Sequence, residues 1–158
     1  MSSNHIQIAP FEMKYASDFK ELNEAWISQY FKMEKMDYQA LDHPKEYILD
    51  NGGYIAVALK GEEVVGVCAL IKMKDSIYDF ELAKMGVSPS EQGQGIGFLL
   101  GKHILEKAQS LSASTVYLES NTILAPAIKL YRKLGFVEIE GFVSPYERCD
   151  IQMVYTID

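Results

Sequence analysis

The chain has 158 residues, 48% of them apolar and 23% charged, and its 22 acidic and 15 basic side chains give a formal net charge of −7. That length fits a single domain over 1–158, the mixture is too apolar for a disordered chain, and the negative charge speaks against nucleic acid, whose phosphate backbone recruits clustered Lys and Arg. It leaves room for an anion held by backbone amides at a helix N-terminus, which needs no net positive charge.

Cys68 and Cys149 can form at most one bridge and sit in no metal-ligand spacing, and His5, His43 and His103 share none either, so no metal site is expected. The unbroken apolar stretches, such as Val67 to Ile71, are far short of the roughly 20 residues that span a bilayer. Met1 to His5 lacks the basic and apolar regions of a signal peptide. The expectation is a cytoplasmic protein without a membrane anchor.

In chain order, Ile6 to Phe11 alternates apolar and polar as a short strand, and Tyr15 to Phe31 carries Phe19, Leu22, Trp26 and Tyr30 at helical spacing. His43 to Leu49 reads as a short helix with proline in its first turn, broken by Asn51-Gly52-Gly53. Tyr54 to Leu59 and Val64 to Met73 form a hairpin around Lys60-Gly61-Glu62-Glu63, and Tyr78 to Val87 is a further strand. A helix follows over Phe98 to Leu111, then a strand over Thr115 to Glu119 and a helix over Ala125 to Leu134 closed by Gly135. Phe136 to Glu140 and Arg148 to Ile157 end the chain as strands. The order is β-α-α-β-β-β-α-β-α-β-β. Strand-helix-strand units require a parallel pair and the hairpins antiparallel ones, so an α/β (α+β) fold with a mixed, mostly antiparallel sheet of about seven strands and four helices is predicted.

The chemistry concentrates between the Tyr78–Val87 strand and the helix after it, in Gln92-Gly93-Gln94-Gly95-Ile96-Gly97. A dinucleotide fingerprint would need glycine where Phe98 stands, and a P-loop would need glycine at Ile96 and Ser or Thr at His103. What fits is Gln-x-x-Gly-x-Gly on Gln92, Gly95 and Gly97, a strand-to-helix turn whose backbone can close around a diphosphate; a tight turn with no ligand has the same composition.

With Gln92-x-x-Gly95-x-Gly97, the stretch Glu81 to Pro89 and the ending Ala127-x-x-Leu130-Tyr131-x-x-x-Gly135-Phe136, the chain resembles the GNAT superfamily of N-acetyltransferases from about residue 78 to 142. The resemblance implies that the family's fourth and fifth strands splay apart and that acetyl-CoA lies in the gap. Its pantetheine arm would pair with backbone at Met85, Gly86 and Val87, and its pyrophosphate would sit on the amides of Gly93, Gln94, Gly95, Ile96, Gly97 and Phe98. Many members carry Asn where this chain has Leu124; Asn121 either takes its place at the cofactor or caps the helix.

By the same resemblance, a strand amide near Met85 polarises the thioester carbonyl and Tyr131 protonates the departing sulfur. The base is Glu81, at the place used by histone-type members, or Glu119, at the place used by ribosomal-protein amino-terminal acetylases, with Glu81 preferred. Period-2 alternation puts Glu81, Ala83, Met85 and Val87 on one strand face. The acceptor site falls to Trp26, Tyr30, Glu34, Tyr146 and Arg148, where acidic side chains suit a cationic amine and Arg148 suits a carboxylate. The implied activity is acetyl transfer to the primary amine of a small molecule, amino acid or peptide. The alternative is a non-catalytic acyl-CoA-binding sensor of the same fold. Asp150 to Ile157 offers an edge for pairing in a homodimer.

Overall fold

The computed structural model describes residues 5–141 and 143–158. Its elements are β1 (Ile6–Pro10), α1 (Ala16–Tyr30), α2 (Lys35–Asp42), β2 (Tyr54–Lys60), β3 (Glu63–Lys72), β4 (Phe80–Val87), α3 (Ile96–Ser110), β5 (Thr115–Ser120), α4 (Ala125–Leu134), β6 (Val137–Ile139) and β7 (Ile151–Thr156). The strands form one sheet in the order β1-β2-β3-β4-β5-β7-β6, and β4–β5 is its parallel pair, reached through α3 as a crossover. The mixed, mostly antiparallel α/β sheet read from the sequence is therefore the architecture observed.

Two points differ from the sequence reading. The second helix lies at Lys35–Asp42, and Lys45–Leu49, inside the stretch expected to be helical, is a short π-helical turn. The signal for α2 is its start: the Glu34 side chain accepts from the backbone of Asp37 while the Asp37 carboxylate accepts from the Glu34 N–H, a reciprocal capping box made with two acids. The second difference is at the C-terminus. β7 is flanked by β5 and β6, so the sheet edges are β1 and the three-residue β6, and the segment expected to offer a dimer edge is inside the sheet.

Both faces of the central strands are covered, which explains why Val64–Leu70 of β3 is buried without alternation. On one face Leu100, Ile104 and Leu105 of α3 pack on Leu70, Leu82, Val116 and Met153. On the other, Phe19 and Ile27 of α1 and Leu41 of α2 pack on Ile55, Val57, Val67 and Ala69. Phe19 is fully buried and meets Phe11 edge-on at 6.1 Å between ring centroids. Phe19→Ala is expected to cost about 3–5 kcal/mol, the range for emptying an aromatic core position; urea unfolding measures it, and a cost below about 1 kcal/mol would mean that α1 is not seated on the sheet as described.

Candidate active site

β4 organises the site because its pairing fails on both sides in the same place. Toward β5 it pairs only through Phe80↔Val116 and Glu81↔Tyr117, and from Leu82 onward the two parallel strands diverge. Toward β3 the register jumps from Ala69↔Ala83 to Val67↔Gly86, which leaves Lys84 and Met85 opposite a single residue, Cys68. This is a β-bulge, and Lys84 occupies the left-handed region at φ 55°. The bulge reverses the side-chain alternation. Glu81 and Ala83 face a cavity on the α1/α2 side together with Lys84, whereas Met85 and Val87 turn to the α3 side and pack on its core. The expectation that Glu81, Ala83, Met85 and Val87 share one face is thus corrected: strict period 2 holds only up to Ala83.

The gap between β4 and β5 opens into a groove of about 320 Å³ lined by Met85, Gly86 and Val87, by Gln92, Gly93, Gly95, Ile96 and Gly97, and across from them by Leu124, Ala127 and Tyr131 of the α4 region. Gly93 and Gly95 sit at φ +83° and +81°, and a Cβ on either would point into open space, so they are glycines for their backbone angles. Gly97 is a packing glycine: a Cβ there would stand 3.0 Å from Leu130. The first helical bond of α3 runs from Leu99 N–H to the Gly95 carbonyl, so the amides of Ile96, Gly97 and Phe98 precede the ladder and are free to hold an anion. Gln92 braces the turn by donating from Nε2 to the Val87 carbonyl, 3.3 Å.

The second cavity, about 200 Å³, lies on the other side of β4 and is walled by Phe31, Met36, Tyr47, Ile71 and Met73 with Glu81 and Glu119 among its polar residues. Trp26 lines both cavities. Glu119 accepts from Tyr117 Oη and Ser144 Oγ, each at 2.6 Å. Beside them Asp37, fully buried, takes Lys84 Nζ at 2.6 Å and both terminal nitrogens of Arg148 at 2.7 and 2.6 Å. Arg148 also reaches Glu34 at 3.4 Å, and Lys84 donates to Tyr146 Oη at 3.2 Å. This cluster ties the bulge, the start of α2 and the 143–150 loop into one unit.

Burial pushes the Glu81 carboxyl up from 4.5 to about 8, the negative charge of Glu119 adds to the rise, and Lys84 opposes it. Burial acts on Asp37 in the same upward sense, but the Arg148 guanidinium and the Lys84 ammonium outweigh it and hold Asp37 down at about 2. Burial also raises the Tyr131 phenol well above its ordinary value, so that hydroxyl keeps its proton.

The acetyltransferase (GNAT) family model matches residues 19–136. The chain belongs to the GNAT family. Among curated relatives it is 32% identical over 124 residues to N-acetyltransferase 8F1 of Mus musculus, covering 73% of this chain and 56% of that protein. It is 32% identical over 101 residues to the N-alpha-acetyltransferase RimI of Mycobacterium tuberculosis, covering 63% and 61%. The chain spans about half the length of the mouse relatives it matches. Its fold matches a GNAT-family acetyltransferase from Staphylococcus aureus at a TM-score of 0.86 and 19% identity, over 98% and 100% of the two chains. It also matches yncA of Salmonella typhimurium, solved with its cofactor acetyl-CoA, at a TM-score of 0.75 and 17% identity, over 98% and 95%.

Set against this GNAT frame, Met85, Gly86, Val87, Gln92, Gly93, Gly95, Ile96, Gly97 and Tyr131 all line the groove. Gln94 is exposed on the same turn, and the Phe98 side chain turns away from the groove to lie under Lys133. Asn121 lines the second cavity instead, with Nδ2 on the Arg148 carbonyl and Oδ1 accepting from Ile123 N–H, so its amide braces the loop before α4. Of the acceptor candidates, Trp26, Tyr146 and Arg148 line the second cavity, Tyr30 lines the groove, and Glu34 caps α2. The residues that sequence reasoning missed are Lys84 as the bulge and Tyr47, Met36 and Met73 as walls; the closeness of Glu34 and Asp37, an acid pair at capping spacing, was the available hint.

Removing Asp37 leaves the buried Lys84 without its acid and the part-buried Arg148 with Glu34 alone, so Asp37→Ala is expected to lower stability by about 3–5 kcal/mol, read by denaturant unfolding. The two shifted carboxyls also act in opposite directions. Asp37 contributes stability that is present above 3.8 and is lost as pH falls through about 2. Glu81 contributes stability that is complete below 4.5 and is lost as pH rises through about 8. Glu81→Gln is therefore expected to flatten the fall in melting temperature across that upper window; an unchanged fall would show that the carboxyl is not desolvated in the folded chain.

Proposed function

We propose that this chain moves an acetyl group from acetyl-CoA to a primary amine of a small molecule or peptide, by direct transfer while both are bound. The observation that carries the reading is the placement of the two cavities on either side of one bulged strand, with Trp26 common to both. The groove suits a long anionic ligand: its glycines leave open space, and the amides that begin α3 face it. Bound there, acetyl-CoA would supply an activated acyl thioester. Met85 stands outside the β3 register, and its amide is the donor proposed for an oxygen that gains charge. Tyr131 lines the groove and its phenol, held protonated, has a proton for a departing thiolate.

Glu81 is the base in this reading. Its carboxylate faces the amine-side cavity, no donor among the described residues engages it, and a value near 8 matches the proton of an ammonium better than an ordinary carboxylate does. Glu119 already accepts two hydroxyl hydrogen bonds and acts on Glu81 through its charge. The two free cysteines accord with a reducing compartment such as the cytoplasm.

The reading is tested by acetyl-CoA calorimetry followed by thiol release with a panel of amines, amino acids and peptides. Binding without release on any acceptor would favour an acyl-CoA-binding domain of the same fold. With an active acceptor, Glu81→Gln is expected to lower kcat by about 100-fold and abolish an ascending limb near pH 8. Glu119→Gln is expected to move that limb to lower pH, because it removes the like charge. Tyr131→Phe is expected to leave acetyl-CoA affinity within about threefold while slowing transfer about 100-fold; unchanged turnover would remove Tyr131 from the mechanism.

A further inference from the structure

The polar groups around the amine-side cavity are unevenly committed. The cations that line it are Lys84 and Arg148, and both converge on Asp37, Lys84 with a side chain 5% exposed and Arg148 with one 14% exposed. Arg148 is further engaged by Glu34, so two buried positive charges face two acids. Three of the neutral donors are spent as well: Trp26 Nε1 donates to Asn23, Asn121 Nδ2 to the Arg148 carbonyl, and Tyr117 Oη to Glu119. No charged donor among the described lining residues is left uncommitted.

One acceptor is in the opposite condition. Glu81 accepts no hydrogen bond from a described residue, and its neighbour Glu119 adds a second carboxylate. The remaining wall is mainly apolar, formed by Trp26, Phe31, Met36, Ile71 and Met73, with the Tyr47 phenol among them. Such a cavity rewards a group that brings its own donors and positive charge on an apolar body, and it penalises a group that brings another carboxylate.

We propose that this cavity selects an amine carried on an apolar or aromatic body and discriminates against one bearing a free carboxylate beside the amine. The proposal rests on the acetyltransferase reading above and narrows its acceptor. It also changes the part played by Arg148: its guanidinium, which from the sequence suits a substrate carboxylate, is already engaged by Asp37 and Glu34 and acts as a positioning residue for the 143–150 loop.

The test uses the full chain saturated with CoA, so that binding is read without turnover. Phenethylamine, phenylalaninamide and phenylalanine share one aromatic body and differ in what stands beside the amine. Calorimetric titration is expected to give the first two at least about tenfold tighter binding than phenylalanine, and thiol release from acetyl-CoA is expected to rank them the same way. Phenylalanine binding as tightly as its amide would overturn the proposal, as would binding of none of the three to a chain that binds CoA. Failure of CoA itself to bind is a separate result, which removes the acetyltransferase reading and the proposal with it.

Discussion

The site depends on the one bulge in β4, held by a buried ion pair. A lysine at positive φ inside a strand is unfavourable on its own, since only glycine enters that region without steric cost. Lys84 is kept there by what its ammonium finds on the α1/α2 side: Asp37 at 2.6 Å and the Tyr146 hydroxyl at 3.2 Å. The extra residue reverses the strand, so one short segment presents Glu81 and Ala83 to one face and Met85 and Val87 to the other. Without it, the β4 residues that line the groove and those that line the second cavity would fall on the same side of the sheet.

The same cluster sets the electrostatics. Desolvating two cations and an acid is favourable only when their geometry is close and their remaining hydrogen bonds are made. Here Asp37 takes both cations and the Glu34 amide, and Glu34 returns a contact to Arg148. The acid nearest the chemistry is left with weak compensation. Glu81 feels Lys84 only as a minor influence against burial and Glu119, and so its carboxyl is pushed up to about 8. Stability is thus concentrated in Asp37, and the proposed reactivity in Glu81.

How much of this was legible in the sequence follows from the range of the interactions. The Gln92–Gly97 turn is specified by local backbone demands: Gly93 and Gly95 need positive φ, and Gly97 needs space, so a spacing pattern captures them. The end of α4 was legible for the same reason, because Gly135 closes it at φ +110°. The bulge was not, because its cause lies 47 residues away at Asp37, and alternation alone gives no warning of it. Helix α2 was hidden because its capping box uses Glu and Asp in place of the more familiar Ser or Thr with Glu. Arg148, read as an acceptor-site residue, and Asn121, read as a cofactor contact or a helix cap, look available in one dimension and are engaged in three, by Asp37 and by the loop backbone.

The most direct measurement of the central claim, that the two halves of β4 serve different ligands, is amide chemical-shift mapping on the labelled chain during separate titrations with CoA and with phenethylamine. The account expects CoA to move Met85, Gly86, Val87 and the amides of Gly93 through Phe98. It expects the amine to move Glu81 and Ala83 together with Tyr47 and Glu119. Shifts from both ligands confined to the same half of β4, or a CoA response centred on the 143–150 loop, would contradict it.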